Sequence, residues 1–217
     1  EGAGGGAAVA IDVNSGQVLA LASYPTYDLT QWNQLYSTWA QDEENTPLLN
    51  RAIQGTYQPG STFKPLTAIA GLEEGVIDAS TIITCNHYYT QFSSRAYTCM
   101  GTHGPTNVLR ALQKSCNVYF YETSYRLSGE KLEEWSRLFG FGEKTGIELE
   151  YEKSGTAAGP NNRANMLKNN PLLNPWQPGD VVTTGIGQSD NLMTPIQLAN
   201  YTAAIANGGI QYLLQRG

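Results

Sequence analysis

The chain has 217 residues, of which 15% are charged, and a formal net charge of -6 at pH 7. This length is enough for one globular domain with a sizeable core. The acidic balance excludes the basic surface that a phosphate backbone requires, so no nucleic-acid partner is expected. No apolar run approaches the roughly 18 residues that span a bilayer. The Gly-rich opening is typical of an internal start and leaves an upstream leader or anchor open.

Taken in chain order, the predicted elements are one hairpin followed mostly by helices. Two β runs between Ala7 and Ser23 are joined by Asn14-Ser15-Gly16, whose residues suit a tight turn. Residues 24–50 are predicted to be irregular with one short helix. Apolar spacing predicts later helices over residues 61–74, 107–114, 118–127, 131–139 and 195–207, with a long loop over 145–180. The expected class is α+β, although one hairpin alone makes a marginal sheet whose partner strands are missing from this chain.

The segment Ser61-Thr62-Phe63-Lys64 places a hydroxyl and an amine on one face of a predicted helix start. Pro65 is compatible with this position because the first turn of a helix has no intrahelical amide bonds to lose. A serine nucleophile needs a base, and a lysine acts as one where burial lowers its pKa. The same spacing also arises by chance, and a second copy, Ser128-Gly129-Glu130-Lys131, lies in a charged stretch that favours an exposed surface. The spacing alone therefore leaves coincidence open.

The surroundings of Ser61 carry a family resemblance. The run from Asn50 to Pro65, NRAIQGTYQPGSTFKP, resembles the active-site segment of penicillin-binding proteins. Ser115-Cys116-Asn117, between two predicted helices, is similar to the Ser-x-Asn motif of the same enzymes. The likeness is strongest to class B, the transpeptidases without a glycosyltransferase domain. It continues over nearly the whole chain, through Phe139–Gly146, Gly185–Gln188 and Thr194–Ala199.

That resemblance implies a penicillin-binding/serine β-lactamase-like fold, an antiparallel sheet flanked by helices, with residues 1–217 forming one transpeptidase domain. It also implies a serine acyltransferase that acts on the D-Ala-D-Ala end of peptidoglycan stem peptides and is acylated by β-lactams. Ser61 would be the nucleophile, Lys64 its base, Ser115 the proton donor to the leaving amine and Asn117 the residue that binds substrate backbone. No metal and no organic cofactor is implied. A D,D-carboxypeptidase, a β-lactamase, or a non-catalytic sensor or scaffold of the cell-wall machinery stays an alternative.

The resemblance also implies partners and a location. The expected partners are the stem peptide, β-lactam antibiotics and other cell-wall synthesis proteins, the last through regions outside this chain. The expected location is the extracytoplasmic face of the bacterial cell membrane, with the anchor also outside this chain. Roles in division, elongation and sporulation are not distinguished by these residues.

The third motif of the family, a Lys-Thr-Gly on a strand after the last helix, is absent before Gly217. That strand would supply a cation, an oxyanion-hole amide and part of the sheet, so the domain is expected to be incomplete at its C-terminus. Three internal segments spell related motifs but are predicted to be turns or loops without a catalytic role: Lys144-Thr145-Gly146, Lys153-Ser154-Gly155-Thr156-Ala157 and Ser189-Asp190-Asn191.

Cys85, Cys99 and Cys116 make an odd number of cysteines. Cys85 and Cys99 lie in one loop and are predicted to form either a disulfide or two reduced thiols. A zinc set of Cys85, His87, Cys99 and His103 is a third possibility, although its spacing matches no standard zinc finger. Cys116 is predicted to be a small buried residue rather than a nucleophile.

Overall fold

The computed structural model describes residues 4–92 and 97–216. The chain divides into two compact units. The first contains the residues up to Tyr57, Phe139–Gly155 and the residues from Met193 onward, and the second contains Gln58–Leu138 and Thr156–Leu192. None of the helices in the described part of the chain is long and apolar enough to cross a bilayer.

Short strands and helices alternate along the chain, and this mixed content confirms the predicted α+β class. The strands are β1 Gly6–Ile11, β2 Gln17–Tyr24, β3 Ile83–Cys85, β4 Tyr88–Tyr89, β5 Tyr97–Thr98, β6 Gly104–Thr106 and β7 Gln215–Arg216. The helices are α1 Trp32–Gln41, α2 Lys64–Glu73, α3 Val108–Gln113, α4 Asn117–Leu127, α5 Gly129–Leu138, α6 Pro160–Asn169, α7 Asp180–Thr184 and α8 Pro195–Ala206. The helix expected within residues 24–50 is α1.

The predicted hairpin forms the sheet of the first unit. β1 and β2 pair antiparallel, and the Gly16 N–H donates to the Asp12 carbonyl at 2.9 Å to close the turn. Two residues of β7 pair with β2 in parallel, which gives the strand order β1-β2-β7. Among the described residues, 4–92 and 97–216, β1 therefore pairs with β2 alone. The inner face of the hairpin packs on a small core that includes Ile53 and Ile196. Such a sheet is marginal, as expected from the sequence.

The last helix, α8, is confirmed and begins at a complete cap. Thr194 and Gln197 form a capping box around Pro195, which occupies the first turn. The Gln197 side chain also donates to the carbonyls of Glu143 and Ser154 at 2.7 Å each. One buried side chain therefore fixes both the helix start and the neighbouring loop.

The second unit is built around α4. Tyr119 and Phe120 on this helix are fully buried, and α2, α5, α7 and β3 all contact it. The helices predicted over residues 107–114, 118–127 and 131–139 are confirmed as α3, α4 and α5. The one predicted over residues 61–74 is α2, preceded by a 3-10 turn, Gly60–Phe63. This core therefore positions the starts of α2 and α4, which carry the two predicted motifs.

The long loop predicted over residues 145–180 is wrong in its middle, where α6 forms. No residue of α6 is buried, so its sequence lacks the apolar face that would have predicted a helix. Its N-terminus is stabilised by Glu133 on α5, a buried carboxylate that accepts the amides of Asn161 at 2.9 Å and Asn162 at 3.1 Å. That contact joins residues far apart in the chain, and local periodicity does not reveal it.

Candidate active site

Ser61 lies where the 3-10 turn enters α2. The turn places Phe63 in the core and leaves Ser61 exposed. The Gly60 N–H donates to the Gly187 carbonyl at 2.9 Å. Gly187 has φ +74°, and a Cβ there would collide with the Gly60 carbonyl oxygen, so no larger residue fits beside the turn. The close approach of these two glycines therefore fixes the backbone on which Ser61 is presented.

The amine of Lys64 is buried and fully hydrogen-bonded. Lys64 is 2% exposed. Its Nζ donates to the Ser115 carbonyl at 2.8 Å, to the Ser115 Oγ at 2.9 Å and to the Asn117 Oδ1 at 2.6 Å. Three acceptors match the three hydrogens of an ammonium group. The resting amine is therefore held in one place by the Ser-x-Asn motif.

Ser115 connects this amine to Ser61. The Ser115 Oγ donates to the Ser61 Oγ at 3.0 Å while it accepts from Lys64. Ser115 has φ +50°, an unusual value outside glycine, and the bond from Lys64 to its carbonyl holds the backbone there. The structure thus brings together, in one chain of hydrogen bonds, the three side chains that the sequence predicted as catalytic.

The surroundings of Lys64 make its amine less basic than usual. Burial lowers the pKa of Lys64 to about 8, although the nearby thiols of Cys99 and Cys116 raise it in part. The ring of Phe120 lies 5.8 Å from Nζ. A lysine with a pKa near the working pH has enough neutral amine to accept a proton, which is the property required of a general base.

Asn117 begins α4, and its polar groups are used within the protein. Besides the bond from Lys64 to Oδ1, its Nδ2 donates to the Thr98 carbonyl at 3.2 Å and its N–H donates to the Cys99 Sγ at 3.2 Å. The Tyr121 hydroxyl donates to the same Thr98 carbonyl at 3.1 Å. These two anchors were not predictable from the sequence, since neither Thr98 nor Cys99 carries a motif signal. Nδ2 carries two hydrogens, so it can donate to a substrate carbonyl as well as to Thr98.

A second group of reactive side chains adjoins the Ser-x-Asn motif. Cys85, Cys99 and Cys116 are buried free thiols, and their sulfurs lie with a ring nitrogen of His103 within 4.8 Å of one another. We call these four residues the thiol cluster. Cys85 and Cys99 are free thiols in the structure, so they do not form the disulfide that was one of their three possible states. The possible zinc set changes in one member, because Cys116 rather than His87 lies beside Cys85, Cys99 and His103.

The thiols of the cluster differ in acidity. Burial alone would raise the pKa of Cys99, but hydrogen bonds from the amides of Gly101, Val118 and Asn117 bring it below the usual value. Burial raises the pKa of the Cys116 thiol to about 12. Cys99 is therefore the more acidic of these two thiols, whereas Cys116 would need a cation such as a metal ion to lose its proton.

The donor atoms of the thiol cluster suit a structural metal ion. Three cysteine sulfurs and one imidazole are a standard ligand set for tetrahedral Zn²⁺. Such a closed site holds the fold together and leaves no open position for a reacting water. The family resemblance itself implied no metal, so metal binding by the thiol cluster is a separate prediction from its donor atoms.

We expect the purified protein to carry about one Zn²⁺ per chain and to lose it in His103→Asn, because that substitution removes a ligand. Metal content after gel filtration, measured by mass spectrometry, checks this. His87→Asn is the matched control, since the His87 ring lies outside the cluster and packs edge-on against Tyr88 at 4.5 Å between centroids. Equal zinc in the two variants, or none in the wild type after expression with added zinc, would contradict the assignment.

The second Ser-x-x-Lys spacing is a surface feature, as predicted. Lys131 Nζ pairs with Glu74 and Glu134 at 3.1 Å each. The bonds to Glu134 and Glu74 raise the pKa of Lys131. An amine held as an ammonium by two carboxylates cannot serve as the base for Ser128.

The three internal look-alike segments lie in turns and loops rather than in strands. Thr145 donates to the buried carboxylate of Glu152 at 2.7 Å. The Lys153 N–H is used in a backbone bond. Asp190 forms an ion pair with Arg163. Each segment thus makes a structural contact of its own, and none of the three lies on a strand, which the third motif requires.

Comparison with known proteins identifies the family of this chain. A sequence model of the penicillin binding protein transpeptidase domain matches residues 6–215. The peptidoglycan D,D-transpeptidase MrdA of Acinetobacter baumannii is 36% identical over 212 residues, which cover 94% of this chain and 31% of that protein. MrdA of Escherichia coli strain K12 is 38% identical over 218 residues, which cover 96% of this chain and 33% of that protein. The chain spans about a third of the length of these relatives.

The fold has solved counterparts. The structure of PBP2 in complex with MreC from Helicobacter pylori has a TM-score of 0.88 and 31% sequence identity to this chain, covering 97% of this chain and 39% of that one. The likeness therefore extends over both compact units.

Proposed function

Because the chain belongs to the penicillin-binding protein transpeptidase family, we propose that it forms the catalytic core of a peptidoglycan D,D-transpeptidase with Ser61 as the nucleophile. The observation that carries this proposal is the hydrogen-bond chain from Lys64 through Ser115 to Ser61. It joins a buried amine of lowered pKa to an exposed hydroxyl at the start of a helix, and an activated serine needs both.

In acylation, the Ser61 Oγ attacks the carbonyl carbon of the penultimate D-Ala while its proton moves toward the neutral amine of Lys64. The Ser115 Oγ lies between them, 3.0 Å from the Ser61 Oγ and 2.9 Å from the Lys64 Nζ. The proton can therefore pass through the Ser115 hydroxyl within hydrogen-bond reach at each step. The Ser61 backbone amide would be one donor of the oxyanion hole.

Collapse of the tetrahedral intermediate breaks the peptide C–N bond. The leaving D-Ala amine takes its proton from Ser115, which regains one from the Lys64 ammonium. An acceptor amine then attacks the Ser61 ester and loses its proton along the same path, and the Ser61 hydroxyl is restored. One amide is thus exchanged for another with no net oxidation and no net loss of water.

Asn117 is the proposed contact for the peptide backbone of the substrate. Its Nδ2 points at a backbone carbonyl, that of Thr98, in the structure. A substrate carbonyl would offer the same kind of acceptor to the second hydrogen of Nδ2, and the Lys64 bond to Oδ1 would keep the side chain in place. Asn117 is therefore suited to hold peptide backbone without taking part in proton transfer.

The proposed partners follow from the substrate and from relatives. β-Lactams would acylate Ser61 because their strained amide mimics the same peptide end. Peptidoglycan lies outside the cell membrane, so this part of the protein would work on the extracytoplasmic face. PBP2 of Helicobacter pylori has been solved in complex with MreC, and a comparable cell-wall partner is proposed for this protein.

The test is incubation of the purified protein with a D-Ala-D-Ala stem peptide and an acceptor amine. We expect release of D-Ala together with a new amide that forms only when the acceptor is present, both measured by mass spectrometry. Release of D-Ala by hydrolysis alone would indicate a D,D-carboxypeptidase instead. A stable penicillin adduct without peptide turnover would indicate a sensor, and no adduct at all a scaffold.

A further inference from the structure

We propose that the thiol cluster positions the Ser115–Asn117 segment, so that oxidation of two of its thiols to a disulfide reversibly slows acylation of Ser61. This inference rests on the proposed function, because acylation of Ser61 is the step that it would control. The proposed proton relay does not pass through Cys85, Cys99 or Cys116, but these three buried thiols lie beside it.

The thiol cluster holds the segment at two points. The Cys99 Sγ accepts the N–H of Asn117 at 3.2 Å, which fixes the first residue of α4. Cys116 is itself the middle residue of the segment, and its fully buried sulfur belongs to the cluster. The backbone between Ser115 and Asn117 therefore cannot move without moving a sulfur of the cluster.

The relay has little room to absorb such a movement. Ser115 is held at φ +50° and bonds to Lys64 through both its carbonyl and its hydroxyl. A change of about 1 Å at Ser115 would open the link to Ser61 or to Lys64, and misplacements of that size cost up to about 100-fold in rate. The position of Cys116 thus matters for catalysis even though its sulfur never touches the substrate.

Disulfide formation would cause a displacement of this kind. The sulfurs of the cluster lie within 4.8 Å of one another, whereas bonded sulfurs are about 2.05 Å apart. Hydrogen peroxide oxidises one thiolate to a sulfenic acid and releases hydroxide, and a second thiol then attacks that sulfur and releases water. The two sulfurs lose two electrons, which the oxygen–oxygen bond of one peroxide accepts. A bound Zn²⁺ would be released because two of its thiolate ligands are gone.

Cys85 is the expected partner in this disulfide. It ends β3, outside the motif segment, and its thiol donates to the Gly101 carbonyl at 3.4 Å. The same thiol is a hydrogen-bonding neighbour of both Cys99 and Cys116. A disulfide from Cys85 to Cys99 would pull the acceptor of the Asn117 N–H toward β3, and one from Cys85 to Cys116 would pull the segment itself toward β3.

The test measures how fast a fluorescent penicillin labels Ser61 in the reduced protein, after treatment with hydrogen peroxide, and after later reduction with dithiothreitol in the presence of Zn²⁺. We expect labelling about 10- to 100-fold slower after oxidation, and recovery on reduction. Peptides mapped without reduction should contain a disulfide that includes Cys85, and circular dichroism should show retained helix. Zinc released on oxidation gives a readout that does not depend on activity.

Two variants separate this effect from general oxidation. For Cys85→Ser, the labelling rate after peroxide treatment is compared with the labelling rate of the same variant when reduced. This variant should lose most of its sensitivity to peroxide. Met100→Leu should stay sensitive; Met100 is 90% exposed next to Cys99 in the chain and is the most accessible competing target. Full sensitivity in Cys85→Ser, or its disappearance in Met100→Leu, would overturn the proposal.

The remaining outcomes are equally decisive. An unchanged labelling rate in protein whose disulfide has been mapped would overturn the proposal, and so would a loss that dithiothreitol does not reverse. If the reduced wild type is not labelled at Ser61, the proposed function itself fails. Normal labelling of the reduced protein at a rate that oxidation does not change would instead refute only this inference and leave the proposed function standing.

Discussion

Replacing Ser61 with Ala is expected to abolish covalent labelling by a fluorescent penicillin, down to the detection limit. The adduct is an ester of the Ser61 Oγ, and Ala offers no atom that can form it. The Ser115 hydroxyl lies 3.0 Å away but is bonded to Lys64 as the relay, so it is not expected to replace the nucleophile. Gel fluorescence and the mass of the digested active-site peptide provide the measurement. Because Ser61 is exposed, the unfolding midpoint should change little.

The control for this variant removes the hydroxyl of the other Ser-x-x-Lys spacing. Ser128→Gly suits the backbone there, which has φ +79°, and it should be labelled at the wild-type rate. An adduct on Ser115, Ser128 or Ser189 with Ser61 unmodified would refute the assignment of the nucleophile.

Sequence was sufficient where the chemistry depends on neighbours along the chain. Ser61 and Lys64 are three residues apart, and Pro65 is tolerated only near a helix start, so the position and the face of both side chains could be predicted. The hairpin of β1 and β2 was equally local, because strand residues on both sides of an Asn-Ser-Gly turn leave few alternatives. Ser115 was found only through the family motif, since nothing near it indicates a contact with Lys64.

Sequence was insufficient where residues meet only in the folded chain. Cys116 was predicted to be a small buried residue because no base lies near it in the sequence, and it is buried. Its position beside Cys85, Cys99 and His103 was not predicted, because only the fold brings these residues together. The helix α6 was missed for a similar reason, because the carboxylate that caps it comes from α5. In both cases a polar contact between distant segments decides the structure, and periodicity detects only apolar faces within one segment.

Replacing Lys64 with Met is expected to slow acylation by about 100- to 10,000-fold, which is the usual contribution of a general base. Met fills most of the buried space of Lys64 but cannot take the proton that Ser115 receives from Ser61. Stopped-flow measurement of the second-order rate constant with one β-lactam gives the result. Lys131→Met is the matched control, since Lys131 has the same spacing from a serine but is paired with Glu74 and Glu134, and it should keep the wild-type rate.

The pH dependence of acylation should identify the same amine. Only neutral Lys64 accepts a proton, and burial lowers its pKa to about 8. The rate should therefore rise about tenfold per pH unit below pH 8 and level off above it, whereas an exposed lysine would place the inflection near its ordinary pKa of about 10.4. Lys131→Met should retain the inflection and Lys64→Met should lose it. A rate that stays constant between about pH 6 and 9 in the wild type would mean that proton removal from Ser61 does not depend on the neutral amine of Lys64.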